Sequence, residues 1–435
     1  MRREASIISP STKSESLTID QTSGMSLNRH TMTSLAIMGL RGVALTTKFI
    51  LALFIAKFLD LQTLGTYGLI TGVAVIFPIV AGFGLIAVLS RNAVSQQLDE
   101  VAQMLRLYWG IQATIYGFIG FISLGISIYL GQFALASIIL AIIFLEHVNN
   151  DLFVLLNHLQ RPGLANLLVF FRTSVWICAY MILAFVFPGL RDLHILLVFW
   201  IGGGLLALAW FALVARDWPW ACHTPAGKHR LWFLHHFKMS RTLYANEIAN
   251  TVSQYIDRYL VGLFMGLEFT GAYVLFWSIG NALSNLVDTG IIQISKPKLI
   301  DAHTRQDQSY WASFRLLLIR TLAISTVLAI VTGIFVEITI PYLNRPLVTG
   351  WTEVLWLVLL GFMLRMAYEV QGTVFYSRYK DSFTLFSGLF VIVLSILSNL
   401  ILIPTFALNG AAAAIIMSYA AGIMARHVMI TSYMR

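Results

Sequence analysis

The sequence predicts an all-α polytopic membrane protein, with twelve transmembrane helices in two six-helix lobes related by a parallel pseudo-two-fold repeat. Three observations carry this: an apolar composition, an alternating distribution of basic loops, and an internal echo between the two halves. Of 435 residues, 58% are apolar and 11% charged, and the mean hydropathy is +0.78. A soluble domain carries roughly 25% charged residues. The net charge of +9 is explained by Lys and Arg in cytoplasmic loops and does not call for nucleic acid.

A spanning helix needs about 20 apolar residues. Twelve such segments run near 34–58, 66–89, 106–130, 133–156, 164–188, 194–215, 241–265, 270–294, 313–342, 351–376, 382–404 and 409–430. Residues 1–33 are polar and rich in Ser and Thr, too long and too polar for the n-region of a signal peptide, and read as a disordered cytoplasmic tail. Helix 1 carries Arg41 and Lys48, seven residues apart and so on one face. Its Lys57 lies close to the helix end, where a long side chain snorkels. Pro78 in helix 2 and Pro404 at the end of helix 11 fit kinks or helix ends. Helix 4 holds Glu146 and Asp151, and helix 5 holds Arg172. The longest connection, 216–240, divides an N-lobe (34–215) from a C-lobe (241–435) and reads as a cytoplasmic linker with an interfacial amphipathic helix presenting Leu231, Trp232, Phe233, Leu234 and Phe237 to lipid. Helix 7 carries Asn246, Glu247, Asn250, Ser253, Gln254, Asp257 and Arg258, and helix 8 carries Asn281, Ser284, Asn285 and Asp288. Arg320 sits near the start of helix 9, and helix 10 carries Arg365 and Glu369.

With a cytoplasmic N-terminus, twenty Lys and Arg residues fall in cytoplasmic segments and two, Arg191 and Arg345, on the other side. That bias sets the orientation, with both termini cytoplasmic. The internal echo has an offset of 206. "FLDLQTLGTYGL" (58–69) aligns with "FMGLEFTGAYVL" (264–275), matching Gly65 with Gly271 and Tyr67 with Tyr273. Six helices separate the two junctions, so the halves share one orientation, as in parallel-repeat transporters.

Charged residues in spanning helices face a bundle interior or a watery cavity. Arg41, Lys48, Arg172, Arg258 and Arg365 come from both halves and predict a central cavity of net positive charge that attracts an anion. Arg suits bidentate phosphate or carboxylate recognition, and Lys acts as a point charge. Arg365 and Glu369, four apart, could instead neutralise each other. Asp257 and Arg258 are adjacent and point about 100° apart, so each needs its own partner. The polar stripes of helices 7 and 8 suit a hydrated, sugar-compatible wall and equally suit interhelical hydrogen bonds. Cys222, His223, His229, His235 and His236 fit no standard metal-ligand spacing, and no metal or cofactor is expected. Cys178 and Cys222 are not read as a disulfide. No phosphate-cradling Gly-rich loop of the P-loop type occurs.

The stretches "TKFILALFIAKFLDLQTLGTYGL", "DRYLVGLFMGLEFTGAYVL" and "KPKL" (296–299) resemble polysaccharide biosynthesis membrane proteins of the Wzx type, the O-antigen and capsule repeat-unit flippases. That family shares a superfamily with the multidrug and toxin extrusion (MATE) exporters and the lipid II flippases. The resemblance covers the chain from about residue 34 and implies a MATE-like fold moving by alternating access. It implies a bacterial inner-membrane flippase, not an enzyme. The substrate it implies is an undecaprenyl-diphosphate-linked oligosaccharide passed from the cytoplasmic to the periplasmic leaflet, and the expected partners are that glycan, membrane lipids and other glycan-assembly proteins. By position, Lys48 and Arg258 carry over as substrate-binding cations; Arg41, Arg172 and Arg365 rest on the charge argument alone. Asp257, Asp288 and Glu369 are the candidates for proton or ion coupling. The alternative is a multidrug or organic-cation antiporter, whose cavity should be richer in acids than in bases.

Overall fold

The computed structural model describes residues 20–93, 98–220 and 228–433, and among them there is helix and no strand. Each of the twelve expected segments is mainly helical, and the one expected over 66–89 breaks at Phe83–Gly84 into two helices. The first lobe comprises α1 (Asp20–Phe58), α2 (Leu61–Gly82), α3 (Leu98–Tyr129), α4 (Phe133–His158), α5 and α6 (Leu193–Val214). Here α5 joins Pro162–Phe170 to Trp176–Val186 through a π-turn at Phe171–Val175. The second lobe comprises α7 (Lys228–Met265), α8, α9 (Tyr310–Thr339), α10 (Thr352–Ser377), α11 and α12. The helix α8 runs Leu267–Val287, passes a π-turn at Asp288–Ile292, and continues as Gln293–Thr304. The stretch Asp381–Tyr433 is broken at Ala407 (φ 53°, ψ −131°) into α11 (381–406) and α12 (408–433).

Several boundaries differ from the sequence reading: α2 ends at Gly82 instead of near 89, α3 begins at Leu98 instead of near 106, and α8 runs on to Thr304 instead of near 294. Helix α1 already begins at Asp20, inside the 1–33 segment read as a tail, and residues 1–19 lie outside the described residues. Helix α7 begins at Lys228 and runs without interruption into the span, so the second half of the 216–240 linker is the first turns of α7. Cys222 and His223 lie outside the described residues.

Eight stretches among the described residues are long and apolar enough to cross a membrane, and one of them, Ser382–Tyr433 at 52 residues, holds both α11 and α12. The remaining spans, α7, α8 and α10, carry polar and charged groups through their length. They are tolerated because they lie against other helices: α8 packs on α2 and α10, and α7 on α2 and on the Asp381–Tyr433 stretch. The outer face is apolar and uncovered, with Phe118 67%, Phe121 82% and Val331 61% exposed, which fits a lipid-facing surface. The chain is a multi-pass membrane protein.

The internal repeat is visible as a reciprocal crossing. A Cβ on Gly65 would collide with the Leu267 carbonyl, and a Cβ on Gly271 would collide with the Leu61 carbonyl. Both pairs are related by the 206-residue offset, so α2 and α8 cross backbone to backbone about the pseudo-two-fold axis. Only residues without a side chain allow that approach. One step along, Gly68 faces Val274 at the same offset. At this end of the bundle Arg345, from the α9–α10 connection, reaches across to the last turn of α1. Its Nε donates to Ala56 O (2.7 Å) and its Nη2 to Leu59 O (2.6 Å). A cation here satisfies carbonyls that a helix C-terminus leaves unpaired and complements the helix dipole.

The other end, where the basic loops lie, is closed differently. The helix α2 ends at Gly82, and the chain turns through Phe83 (φ 51°) and Gly84 (φ 65°) into a short helix, Leu85–Ala93. The carbonyls of this bend accept bonds from α7: Ser240 Oγ donates to Phe83 O (2.9 Å) and Tyr244 Oη to Val80 O (2.8 Å). Phe83, Phe237 and Tyr244 pack as an aromatic cluster. The two lobes therefore touch at both ends and enclose space between.

Candidate functional site

A cavity of about 130 Å³ lies between the lobes. From the first lobe α1 contributes Leu45, Lys48, Phe49 and Ala52, and α2 contributes Tyr67, Thr71 and Val75. From the second, α7 contributes Tyr255 and Arg258, and α8 contributes Trp277, Ser278 and Asn281. The wall contains two bases, one from each lobe, and no acid.

The two cations are held differently. Lys48 presents an exposed side chain to the cavity. Arg258 is 2% exposed. Its guanidinium lies over Trp277 (3.4 Å to the ring centre) and Tyr255 (4.3 Å). Such a desolvated cation–π contact contributes about 2 kcal/mol. Its Nη2 makes a long bond to Gln254 O (3.5 Å), and its Nε has no partner. Among the described residues no carboxylate lies within ion-pair distance of Lys48 or Arg258. The adjacent Asp257 turns away: Oδ1 accepts the backbone N–H of Arg258 (2.8 Å) and Oδ2 accepts the Tyr273 hydroxyl (2.6 Å). Asp257 is thereby a fully bonded, buried acid tying α7 to α8.

The other charges lie outside this wall. Arg41 bridges the lobes toward the basic end, with Nε donating to Asn166 Oδ1 on α5 (2.8 Å) and Nη1 to Gln293 Oε1 on α8 (3.3 Å). Gln293 in turn donates to Asp288 Oδ2 (2.7 Å). Arg172 is ion-paired with Glu146 (2.5 Å), which also accepts Trp200 Nε1–H (2.8 Å). Arg365 does not pair with Glu369; its Nη2 donates to Gln254 Oε1 on α7 (2.7 Å). Arg426, counted with the basic loops by its position, is 3% exposed and bonds Ser387 Oγ and Tyr368 O inside the second lobe.

The Glu146–Arg172 pair makes a prediction. Side-chain exposures are 10% and 16%, and removing one partner of a buried pair costs roughly 3–5 kcal/mol. Glu146→Gln is expected to lower the melting temperature of the purified protein, and Glu146→Gln/Arg172→Met to recover much of that loss. Equal melting curves for Glu146→Gln and the parent would refute the pairing.

Sequence reasoning did not find Tyr255, Trp277 and Tyr67 as cavity residues, nor Gln254 as the acceptor shared by Arg258 and Arg365. An aromatic residue three before Arg258 was the one available signal, since i, i+3 positions share a helix face.

Comparison with solved structures shows the same fold. The lipid II flippase MurJ in an inward closed conformation superposes with a TM-score of 0.72 at 13% identity, covering 91% of this chain and 87% of that one. An inward-facing multidrug-resistance MATE family transporter of the MOP superfamily gives 0.66 at 14% identity, covering 92% and 98%. The MATE multidrug transporter DinF-BH, solved as a ligand complex, gives 0.58 at 15%, covering 97% and 98%. No protein-family model matches the chain, and no curated protein matches it by sequence.

Proposed function

We propose that this chain is a flippase that moves an undecaprenyl-diphosphate-linked oligosaccharide, an O-antigen, capsule or exopolysaccharide repeat unit, across the bacterial inner membrane. The basic end, with both termini, is cytoplasmic, and the lobes alternate access to the cavity. The observation that carries this reading is the convergence of Lys48 and Arg258, unpaired cations from opposite lobes, on one cavity without an acid. A diphosphate offers each of them oxygens, and the anion links the lobes as it binds. Tyr67, Thr71, Ser278 and Asn281 supply hydroxyls and an amide suited to sugar. Substrates in this reading are glycolipids and the chemistry is transport; no bond is made or broken.

An organic-cation exporter needs an anionic wall, and this cavity has the opposite sign. The test is complementation of a flippase-deficient strain. Lys48→Ala is expected to reduce surface polysaccharide at least tenfold with normal membrane levels of the protein, since one phosphate contact to a charged group contributes roughly 1.5–3 kcal/mol. Wild-type surface glycan in Lys48→Ala, or resistance to cationic dyes conferred by the parent, would overturn the reading.

A further inference from the structure

The end opposite the basic loops carries a group of charges that the central cavity does not use. The sequence places two loop bases on that side, Arg191 and Arg345. In the fold both lie against the last turn of α1, beside Lys57. Lys57 Nζ is 5.8 Å and Arg191 Cζ 5.0 Å from the centre of the Phe58 ring. Arg345 donates to the carbonyls of Ala56, Lys57 and Leu59 around it. Three cations, from α1, the α5–α6 connection and the α9–α10 connection, therefore share one helix end.

No acid answers them. Among the described residues no carboxylate lies within ion-pair distance of any of the three. The acids nearest in sequence are spent on helix starts. Asp60 accepts the Thr63 N–H (2.6 Å), and Asp192 accepts those of His194 (2.8 Å) and Ile195 (3.2 Å). Both arginines use Nε and Nη2 on carbonyls and keep Nη1. Lys57 is exposed.

From this end an apolar groove of about 340 Å³ runs toward the middle of the bundle. Its walls include Ile50, Leu53 and Phe54 of α1, Leu275 and Ile279 of α8, and Phe335 of α9, and Lys57 lies at its outer end. Ile50 is 44% and Phe335 62% exposed, so the groove opens on the face that meets lipid. It shares no residue with the central cavity. From Ile50 to Lys57 the helix rises about 10 Å, a large part of the ~15 Å of hydrocarbon in one leaflet.

We propose that this groove seats one anionic phospholipid of the leaflet at that end. Its phosphate lies on Lys57 and the free guanidinium edges of Arg191 and Arg345, and one acyl chain lies along α1, α8 and α9. A phosphodiester with an uncharged headgroup suits three unanswered cations, whereas a zwitterionic lipid brings an ammonium up against them. The groove is open to the bilayer while the lobes touch, so membrane lipid reaches it without any cargo being moved. Because α1 belongs to the first lobe and α8 and α9 to the second, the seated lipid strengthens the contact between lobes at that end. The inference rests on the fold and not on the identity of the cargo.

Binding is read by native mass spectrometry of the full chain in detergent with added dioleoyl phosphatidylglycerol or dioleoyl phosphatidylethanolamine. One phosphatidylglycerol is expected to bind at least about tenfold more tightly than phosphatidylethanolamine, and Lys57→Gln to cut that preference about fivefold, the share of one basic residue beside an anionic lipid. Ile50→Trp fills the groove and is expected to weaken both lipids in equal proportion. Both positions are exposed, so folding tolerates the changes. Phosphatidylglycerol should also raise the melting temperature of the parent, and raise that of Lys57→Gln less. Equal binding of the two lipids by the parent, an unchanged preference in Lys57→Gln, or unchanged binding in Ile50→Trp would overturn the proposal. So would displacement of phosphatidylglycerol by equimolar polyprenyl phosphate, which would make the groove a station for cargo. A chain that binds the lipid as described but moves no glycan would sink the transport reading alone.

Discussion

Under the proposed function, Arg258→Met is expected to cut glycan translocation roughly 10–100-fold while leaving the protein at least as stable as the parent. The two halves of this expectation come from the same fact. Arg258 is buried, faces two aromatic rings, and has no carboxylate within ion-pair distance among the described residues. Desolvating an unpaired cation costs several kcal/mol, and the cation–π contacts return about 2 kcal/mol of it. A methionine of similar length removes the desolvation cost, which exceeds the lost contacts, so the melting temperature stays level or rises. Binding of a diphosphate lipid loses a charge-assisted contact and weakens roughly 10–100-fold. Arg258→Lys restores only part of the affinity, because an ammonium cannot lie flat on Trp277 while presenting a fork of donors. Flux of fluorescent lipid-linked glycan in proteoliposomes reads the first half, and thermal unfolding in detergent reads the second. Parental flux in Arg258→Met, or a large drop in melting temperature, contradicts the account.

The second large effect is expected at the α2–α8 crossing. In Gly65→Val and in Gly271→Val a new Cβ meets a main-chain carbonyl of the other lobe. A carbonyl within a helix cannot rotate aside. Overpacking of this kind costs roughly 1–3 kcal/mol or more, comparable to the few kcal/mol that separate two conformations of a mobile protein. Both variants should hold that end apart. Thr71→Cys, on the cavity wall, is then expected to react with a membrane-impermeant thiol reagent added from outside the cell at least about tenfold faster than in the glycine parent. Because the crossing is reciprocal, the two substitutions should act alike, and combining them should add little. Unchanged labelling in both would show that the crossing does not seal the cavity.

Nine of the helices were legible because apolar runs of spanning length need no partner to declare themselves; α7, α8 and α10 carry polar stripes and were read from their place in the alternation. The repeat was legible because Gly65 and Gly271 sit at a crossing where a side chain has no space, so the same letter recurs. Which charges face the cavity was not legible. Arg172 and Asp288 both lie in π-turns, at Phe171–Val175 and Asp288–Ile292. A π-turn inserts an extra residue into the helical repeat and rotates everything beyond it relative to an ideal helix, so helical-wheel reasoning fails there. Pairing was hidden for a different reason. Glu146 reaches Arg172, and Gln254 reaches Arg365, from other helices, and no local spacing encodes such contacts. Arg426 shows the same limit from the other side: a residue near a chain end looks like a loop cation until α10 and α11 are seen around it.

The Gly65–Gly271 crossing has a bearing on selectivity. The contact between Gly65 and Gly271 is made by main-chain carbonyls and Cα hydrogens, groups that every protein has. Under the proposed function, cargo leaving past that seal would not be inspected on the way out. Under that same function, recognition would be confined to the interior, where the two cations would read a diphosphate common to all such carriers. A protein built this way would be strict about the handle of its cargo and lenient about the rest, so that a change in glycan structure would require few changes in the transporter.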